Sequence, residues 1–168
     1  MYAKIIWKML VTVSFFSTLN CSASNNSLSD LEDLRLVHLL FRHGDRTPIS
    51  PYPKDPYRDV SYWPVGFGQL TSKGKMQQYE LGKWIRNRYK QFLSQDYREN
   101  EILVRSTDVD RTLMSAQATL AGLYPPEGYL KWNKNLTWQP VPVHTVPKHE
   151  DALLSSHANC PRYILIWL

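Results

Sequence analysis

The chain has 168 residues, 43% of them hydrophobic and 21% charged, which suits one domain. The formal charge is +5; Lys4 and Lys8 account for two of those charges, so without its first residues the chain carries +3. That balance is too mild to argue for nucleic acid, and the basic residues are interspersed with acids and aromatics, as on a solvated face. It still favours the approach of anionic substrates.

Residues 1–23 have the layout of a secretory signal peptide. Lys4 and Lys8 flank or interrupt an apolar stretch from Met9 to Leu19, and the small residues Ser22, Ala23 and Ser24 follow, with cleavage expected near Ala23. Lys8, Thr12, Ser14, Ser17 and Thr18 break the stretch, whereas a spanning helix needs about 20 apolar residues, so no stable membrane anchor is expected. Cys21 leaves with the leader. Cys160 is then a lone cysteine in a secreted chain, which points to an absent partner. Asn25-Asn26-Ser27 and Asn135-Leu136-Thr137 are glycosylation sequons.

Residues 24–168 form the mature domain. The apolar run Leu36 to Phe41 predicts a strand buried on both faces, with His38 packed in the core. Gly44 and Pro48 mark a turn, and the Pro- and Tyr-rich stretch Pro48 to Pro64 predicts a long loop. Thr71 or Ser72 caps a predicted helix over 72–93, where Leu81, Ile85, Tyr89 and Phe92 recur at helical spacing. Ile102-Leu103-Val104 is a second short strand. Thr107 and Asp110 form a capping-box pattern ahead of Val109, Leu113, Ala116, Leu120 and Leu123, and Pro125-Pro126 ends that helix. Asp108 and Asp110 read as cap residues, and Trp63, Trp132 and Trp138 as core or interface anchors. Residues 141–146 predict a third strand, weakened by Pro142.

Strand, helix, strand, helix implies an α/β fold with a mostly parallel sheet, in which ligands bind beyond the carboxyl ends of the strands. Arg42, His43 and Arg46 stand at the end of the first strand. Arg105 stands at the end of the second, just before a helix N-terminus. An arginine presents a planar fork of donors suited to phosphate oxygens, and an imidazole held among such forks can act as a nucleophile toward phosphorus. Taken singly, Arg46 and Arg105 are also what surface salt bridges use. No metal-ligand spacing appears, and no cofactor is expected.

Arg42-His43-Gly44-Asp45-Arg46-Thr47-Pro48 resembles the signature of the histidine acid phosphatases. The blocks Trp63 to Thr71, Arg105 to Thr112 and Trp138 to Pro147 resemble its lysosomal and prostatic branch, and the similarity runs from about Leu34 to Arg162. The resemblance implies a three-layer, phosphoglycerate mutase-like fold whose second half is missing here. It implies phosphate monoester hydrolysis through a phosphohistidine, with His43 as nucleophile and Arg42, Arg46 and Arg105 holding the phosphoryl oxygens. It implies a disulfide from Cys160 to a position further along, and an extracellular or lysosomal destination. Dimers occur among such relatives, and nothing in this sequence fixes an interface. The family's general acid lies in a later His-Asp pair, and no His-Asp dipeptide occurs in this sequence. The tail Ile164 to Leu168 has no evident counterpart. A C-terminally truncated chain is therefore expected. Three readings stand open: an acid phosphatase, active or inactive in this form; a non-catalytic phosphate-binding remnant; and a related phytase or mutase-like enzyme.

Overall fold

Helix α1 spans Ser72–Arg88 and helix α2 spans Asp110–Leu123. The computed structural model describes residues 34–154; the leader, Asn25, Cys160 and the apolar tail lie outside the described residues. Thr71 caps α1, its hydroxyl accepting a hydrogen bond from the Gly74 amide at 3.0 Å. Arg86 and Arg88 in the last turn complement the negative end of the helix. The helix closes at Tyr89, four residues before the predicted end, and the chain turns at 90–93 instead of continuing.

The start of α2 differs from the capping box expected of Thr107 and Asp110. The N-cap is Val109, which makes no side-chain cap. Thr112 explains this: its hydroxyl lies 2.6 Å from the Val109 carbonyl and 2.9 Å from the Thr107 hydroxyl, so Thr107 is drawn into that cluster and the helix begins after it. Asp110 then serves as an acid in the first turn, favourable to the helix dipole, and not as a cap.

The helices pack against each other at nearly backbone distance. A Cβ on Gly82 would overlap the Thr119 carbonyl, and one on Gly122 would overlap the Tyr79 carbonyl. Glycine inside a helix costs about 1 kcal/mol relative to alanine, and here the close approach offsets that loss. Ile85 from α1 joins Ala116, Leu120 and Leu123 from α2 in a core with Leu93, Ile102, Val104 and Tyr124. Leu39, Phe41, Val141 and Val143 pack on the same cluster, so the three predicted strand segments all lie over the helix pair.

Those segments are extended, but among the described residues they form isolated bridges and no regular strand. Arg105 and His144 pair in the parallel sense: the His144 amide donates to the Val104 carbonyl and the Ser106 amide to the His144 carbonyl, each at 2.9 Å. Pro140, Pro142 and Pro147 have no amide hydrogen to lengthen the ladder. The first segment is buried on one face only. Val37, Leu39 and Phe41 turn inward while Leu36, His38 and Leu40 are exposed, so His38 is not a core histidine. Trp132 is likewise exposed and not a core anchor. Among the described residues no helix is long and apolar enough to cross a membrane.

Candidate active site

The loop that follows the first segment is fixed to both helices before any ligand is considered. The Asp45 carbonyl accepts from the Thr71 amide at 3.0 Å, and its carboxylate from the Thr71 hydroxyl at 2.6 Å. The Asp45 amide donates to Gln77 Oε1 at 2.8 Å. The Arg42 carbonyl accepts from Gln78 Nε2 at 3.1 Å, and Gln78 Oε1 lies 3.1 Å from the Thr119 hydroxyl on α2. The Gly44 amide donates to Ser115 Oγ at 3.3 Å, and Ser115 donates in turn to the Arg111 carbonyl at 2.6 Å. Thr47 ties the loop to the segment before α1, its hydroxyl donating to the Gly66 carbonyl at 2.6 Å and accepting from the Gln69 amide at 3.0 Å.

The result is an open recess of about 570 Å³, lined by Arg42, His43, Gly44, Asp45, Arg46, Gln77 and Gln78. Apart from Gly44, every residue on its lining has a polar or charged side chain. His43 Nδ1 lies 2.8 Å from the Gly44 carbonyl. A carbonyl only accepts, so the neutral ring carries its proton on Nδ1 and its lone pair on Nε2. Partial burial is the main reason the imidazole titrates below its ordinary value; the Gly44 carbonyl opposes the shift, and the positive charges of Arg42, Arg111 and Arg46 add to it. The neutral, nucleophilic form therefore persists into more acidic solution.

Arg111, in the first turn of α2, is the residue that sequence reasoning passed over. Its guanidinium is held below the usual arginine value by burial and then by the charges of Arg46 and Arg42. The charges of three guanidinium groups thus act on one imidazole, and among the described residues no carboxylate pairs with any of them. The Nε atoms of Arg46 and Arg111 are buried without a hydrogen-bond partner. One signal in the sequence pointed to Arg111: a cation in the first turn opposes the helix dipole and needs another reason to be there.

Arg105 is engaged elsewhere. Its guanidinium donates to Asp151 at 2.6 Å, and Asp151, with 1% of its side chain exposed, also accepts from the Leu153 and Leu154 amides. Neither Arg105 nor Arg111 lines the recess; the charge of Arg111, whose guanidinium lies 3.4 Å from the Gly68 carbonyl, acts on His43, and that of Arg105 does not. The structure thus brings Arg42, His43 and Arg46 together, with the charge of Arg111 acting on them, while Arg105 holds the 151–154 segment. His149 and Glu150 pair at 3.2 Å on the exposed surface, away from the recess lining. Asn135 is exposed on a turn. Among the described residues no three His, Cys, Asp or Glu side chains gather as a metal site.

The family model for the histidine phosphatase superfamily (branch 2) matches residues 33–165. The chain belongs to that superfamily. As a branch 2 histidine phosphatase it is 57% identical over 133 residues to prostatic acid phosphatase of Bos taurus, a match covering 79% of this chain and 34% of that protein. It is 58% identical over 131 residues to lysosomal acid phosphatase of Homo sapiens, covering 77% of this chain and 31% of that protein. The chain spans about a third of the length of these curated relatives. Among solved structures it is similar to the phytase from Citrobacter braakii, with 27% identity and a TM-score of 0.43 over 49% of this chain and 23% of that one.

Proposed function

We propose that this chain carries the phosphoryl-accepting half of an acid phosphatase site, acting on phosphate monoesters through a phosphohistidine at His43. The observation that carries the reading is an imidazole bonded through Nδ1, with no hydrogen bond to Nε2 among the described residues, beside Arg42 and Arg46 and under the charge of Arg111. Nε2 attacks phosphorus as the bond to the ester oxygen breaks, and water then releases inorganic phosphate and regenerates His43. In a loose phosphoryl-transfer transition state charge spreads over three equatorial oxygens, so positioned cations supply most of the stabilisation. Each charged hydrogen bond contributes roughly 1.5–3 kcal/mol. Arg111 takes the third place in this account, which the sequence had given to Arg105, because Arg105 is bound to Asp151.

The leaving alkoxide needs a proton. The one carboxyl group on the recess lining, that of Asp45, is held by Thr71. This favours a second reading, in which the chain binds phosphate without turning esters over; in the first reading, hydrolysis falls mainly on esters with good leaving groups. General acid catalysis ordinarily supplies roughly 10²–10⁴-fold, so alkyl phosphates are slowed by that factor and aryl phosphates by less. The extended segments over the helix pair fit a mostly parallel sheet of a three-layer α/β fold, with the Arg105–His144 pair as one of its parallel contacts. The names of the relatives, prostatic and lysosomal acid phosphatase, support passage of this chain through the secretory pathway.

The test compares p-nitrophenyl phosphate hydrolysis by the full chain and by His43→Ala near pH 5, with calorimetric titration of inorganic phosphate. Hydrolysis lost in His43→Ala supports the enzyme, and saturable phosphate binding without turnover supports the second reading. Equal activity in both proteins rejects His43 as nucleophile.

A further inference from the structure

A second cavity opens where the later half of α1 meets the last turn of α2, and it shares no residue with the His43 recess. Its volume is about 540 Å³, within the range of small-molecule sites. Gly122 brings no side chain into it, and Tyr79, Pro125 and the stems of Lys83 and Lys90 offer apolar carbon. Lys83, Arg86 and Lys90 are the cations on its lining, against one carboxylate, Glu127. That carboxylate is engaged: Gln95 Nε2 donates to it at 2.6 Å. Lys83 is shared with Glu80 at 3.1 Å and stands 5.7 Å from the centre of the Tyr79 ring. Lys90 makes no ion pair among the described residues.

We propose that this cavity binds a small organic anion, an apolar ring carrying one acidic oxygen group. Arg86 is its fixed point. Nε donates to the Leu123 carbonyl at 2.7 Å, Nη1 donates to the Ser94 carbonyl at 2.9 Å, and the guanidinium lies 4.5 Å from the centre of the Tyr124 ring. The charge is therefore in position before a ligand arrives, and little ordering cost is left. Nη2 is buried without a hydrogen-bond partner, so the group retains an unused donor. The bond to Leu123 also covers a carbonyl at the negative end of α2, which would otherwise repel an anion. Lys83 and Lys90, on longer flexible stems, supply movable charge, and Asn87 on the same lining adds an amide donor. An inorganic anion would meet the cations and leave the Tyr79 and Pro125 surface wet. A neutral ring would cover that surface and forgo the charge. A ligand with both parts uses the whole lining.

The experiment titrates the isotope-labelled full chain with naphthalenesulfonate and follows its backbone amides by NMR. Uncharged naphthalenemethanol and inorganic sulfate serve as comparisons. Saturable shifts at Asn87, Lys90, Gln95 and Gly122 are expected, with Gly44 and Asp45 unmoved. The alcohol and the sulfate should each bind about tenfold more weakly or worse, since each lacks one half of the interaction. Lys90→Glu should weaken the sulfonate about tenfold, as expected for reversing one charge beside an exposed anion. Lys83→Gln, which removes only an exposed charge, should act in the same direction and stands in if Lys90→Glu disturbs the fold. Absent or unsaturable shifts, shifts centred on residues 42–46, equal affinity for the alcohol, or full affinity in both variants would each overturn the proposal.

Discussion

Gly44 and Gly74 meet with no room for a side chain on either. A Cβ on Gly44 would overlap the Gly74 carbonyl, and one on Gly74 would overlap the Asp45 carbonyl. This contact sets the loop that carries His43 directly on the first turn of α1. The recess is therefore shaped by backbone, with the Thr71, Gln77 and Gln78 side chains locking it. Gly44→Ala is expected to destabilise the fold by about 1–3 kcal/mol, as overpacking does, and to weaken phosphate binding as the loop is pushed off α1. Chemical denaturation with unchanged slope, together with calorimetry, checks both effects.

The two arginines of the block from Arg105 to Thr112 stand in different surroundings. Arg111→Gln is expected to lower phosphate affinity about tenfold or more, the loss of one charged hydrogen bond, with little change in thermal midpoint. Arg105→Gln is expected to do the reverse. It leaves the buried Asp151 carboxylate without its cation, which costs about 3–5 kcal/mol. Calorimetric titration of phosphate and thermal melts of the two variants make the comparison.

Part of the site was visible in the sequence, and the part that was not has physical causes. Arg42, His43 and Arg46 lie within five residues, so one tight loop had to bring them together. Arg105 and Arg111 required a choice between two cations six residues apart. The end of the second segment is a sound place to expect a ligand-binding residue, but Val104 packs into the core and Arg105 alternates away from it, toward Asp151. The burial pattern of α1 was only half legible. Ile85 was expected, whereas Gly74, Gln78 and Gly82 face inward because α2 comes so close. In α2, Ala116, Leu120 and Leu123 were expected, and the small polar face of Thr112, Ser115 and Thr119 was not, since nothing in hydrophobic spacing announces it.

The titration of His43 carries a prediction with a definite sign. An imidazole ordinarily titrates near pH 6.5. Partial burial and the three cations hold His43 below that value, so its neutral form, and with it nucleophilic competence, extends to lower pH. Arg111→Gln removes one of those cations and should raise the midpoint, moving the acid limb of any activity to higher pH; Arg111→Lys should leave it near the wild-type position. Imidazole chemical shifts followed by NMR from pH 4 to 8 read this without turnover. Because the folded-state value is depressed, the stabilisation linked to His43 is present above about pH 6.5 and is lost as pH falls through the folded value.

Gln78 connects α2 to the loop, with the Thr119 hydroxyl on one side and the Arg42 carbonyl on the other. Gln78→Leu keeps the volume roughly constant but removes both bonds and leaves the Arg42 carbonyl unpaired. A loss of about 1–3 kcal/mol is expected. Phosphate affinity should fall with it, because the Arg42 backbone is no longer held; denaturation and calorimetry on the same sample measure both.

The most direct test of a phosphoryl-accepting imidazole is to find the phosphoryl group. The full chain is mixed with an aryl phosphate and quenched in alkali, where a phosphorylated imidazole survives, then examined by ³¹P NMR and peptide mapping. The account predicts a phosphoryl group on Nε2 of His43, absent from His43→Ala. Turnover with the phosphoryl group on another side chain, or turnover that leaves His43 unmodified at every time sampled, would contradict it.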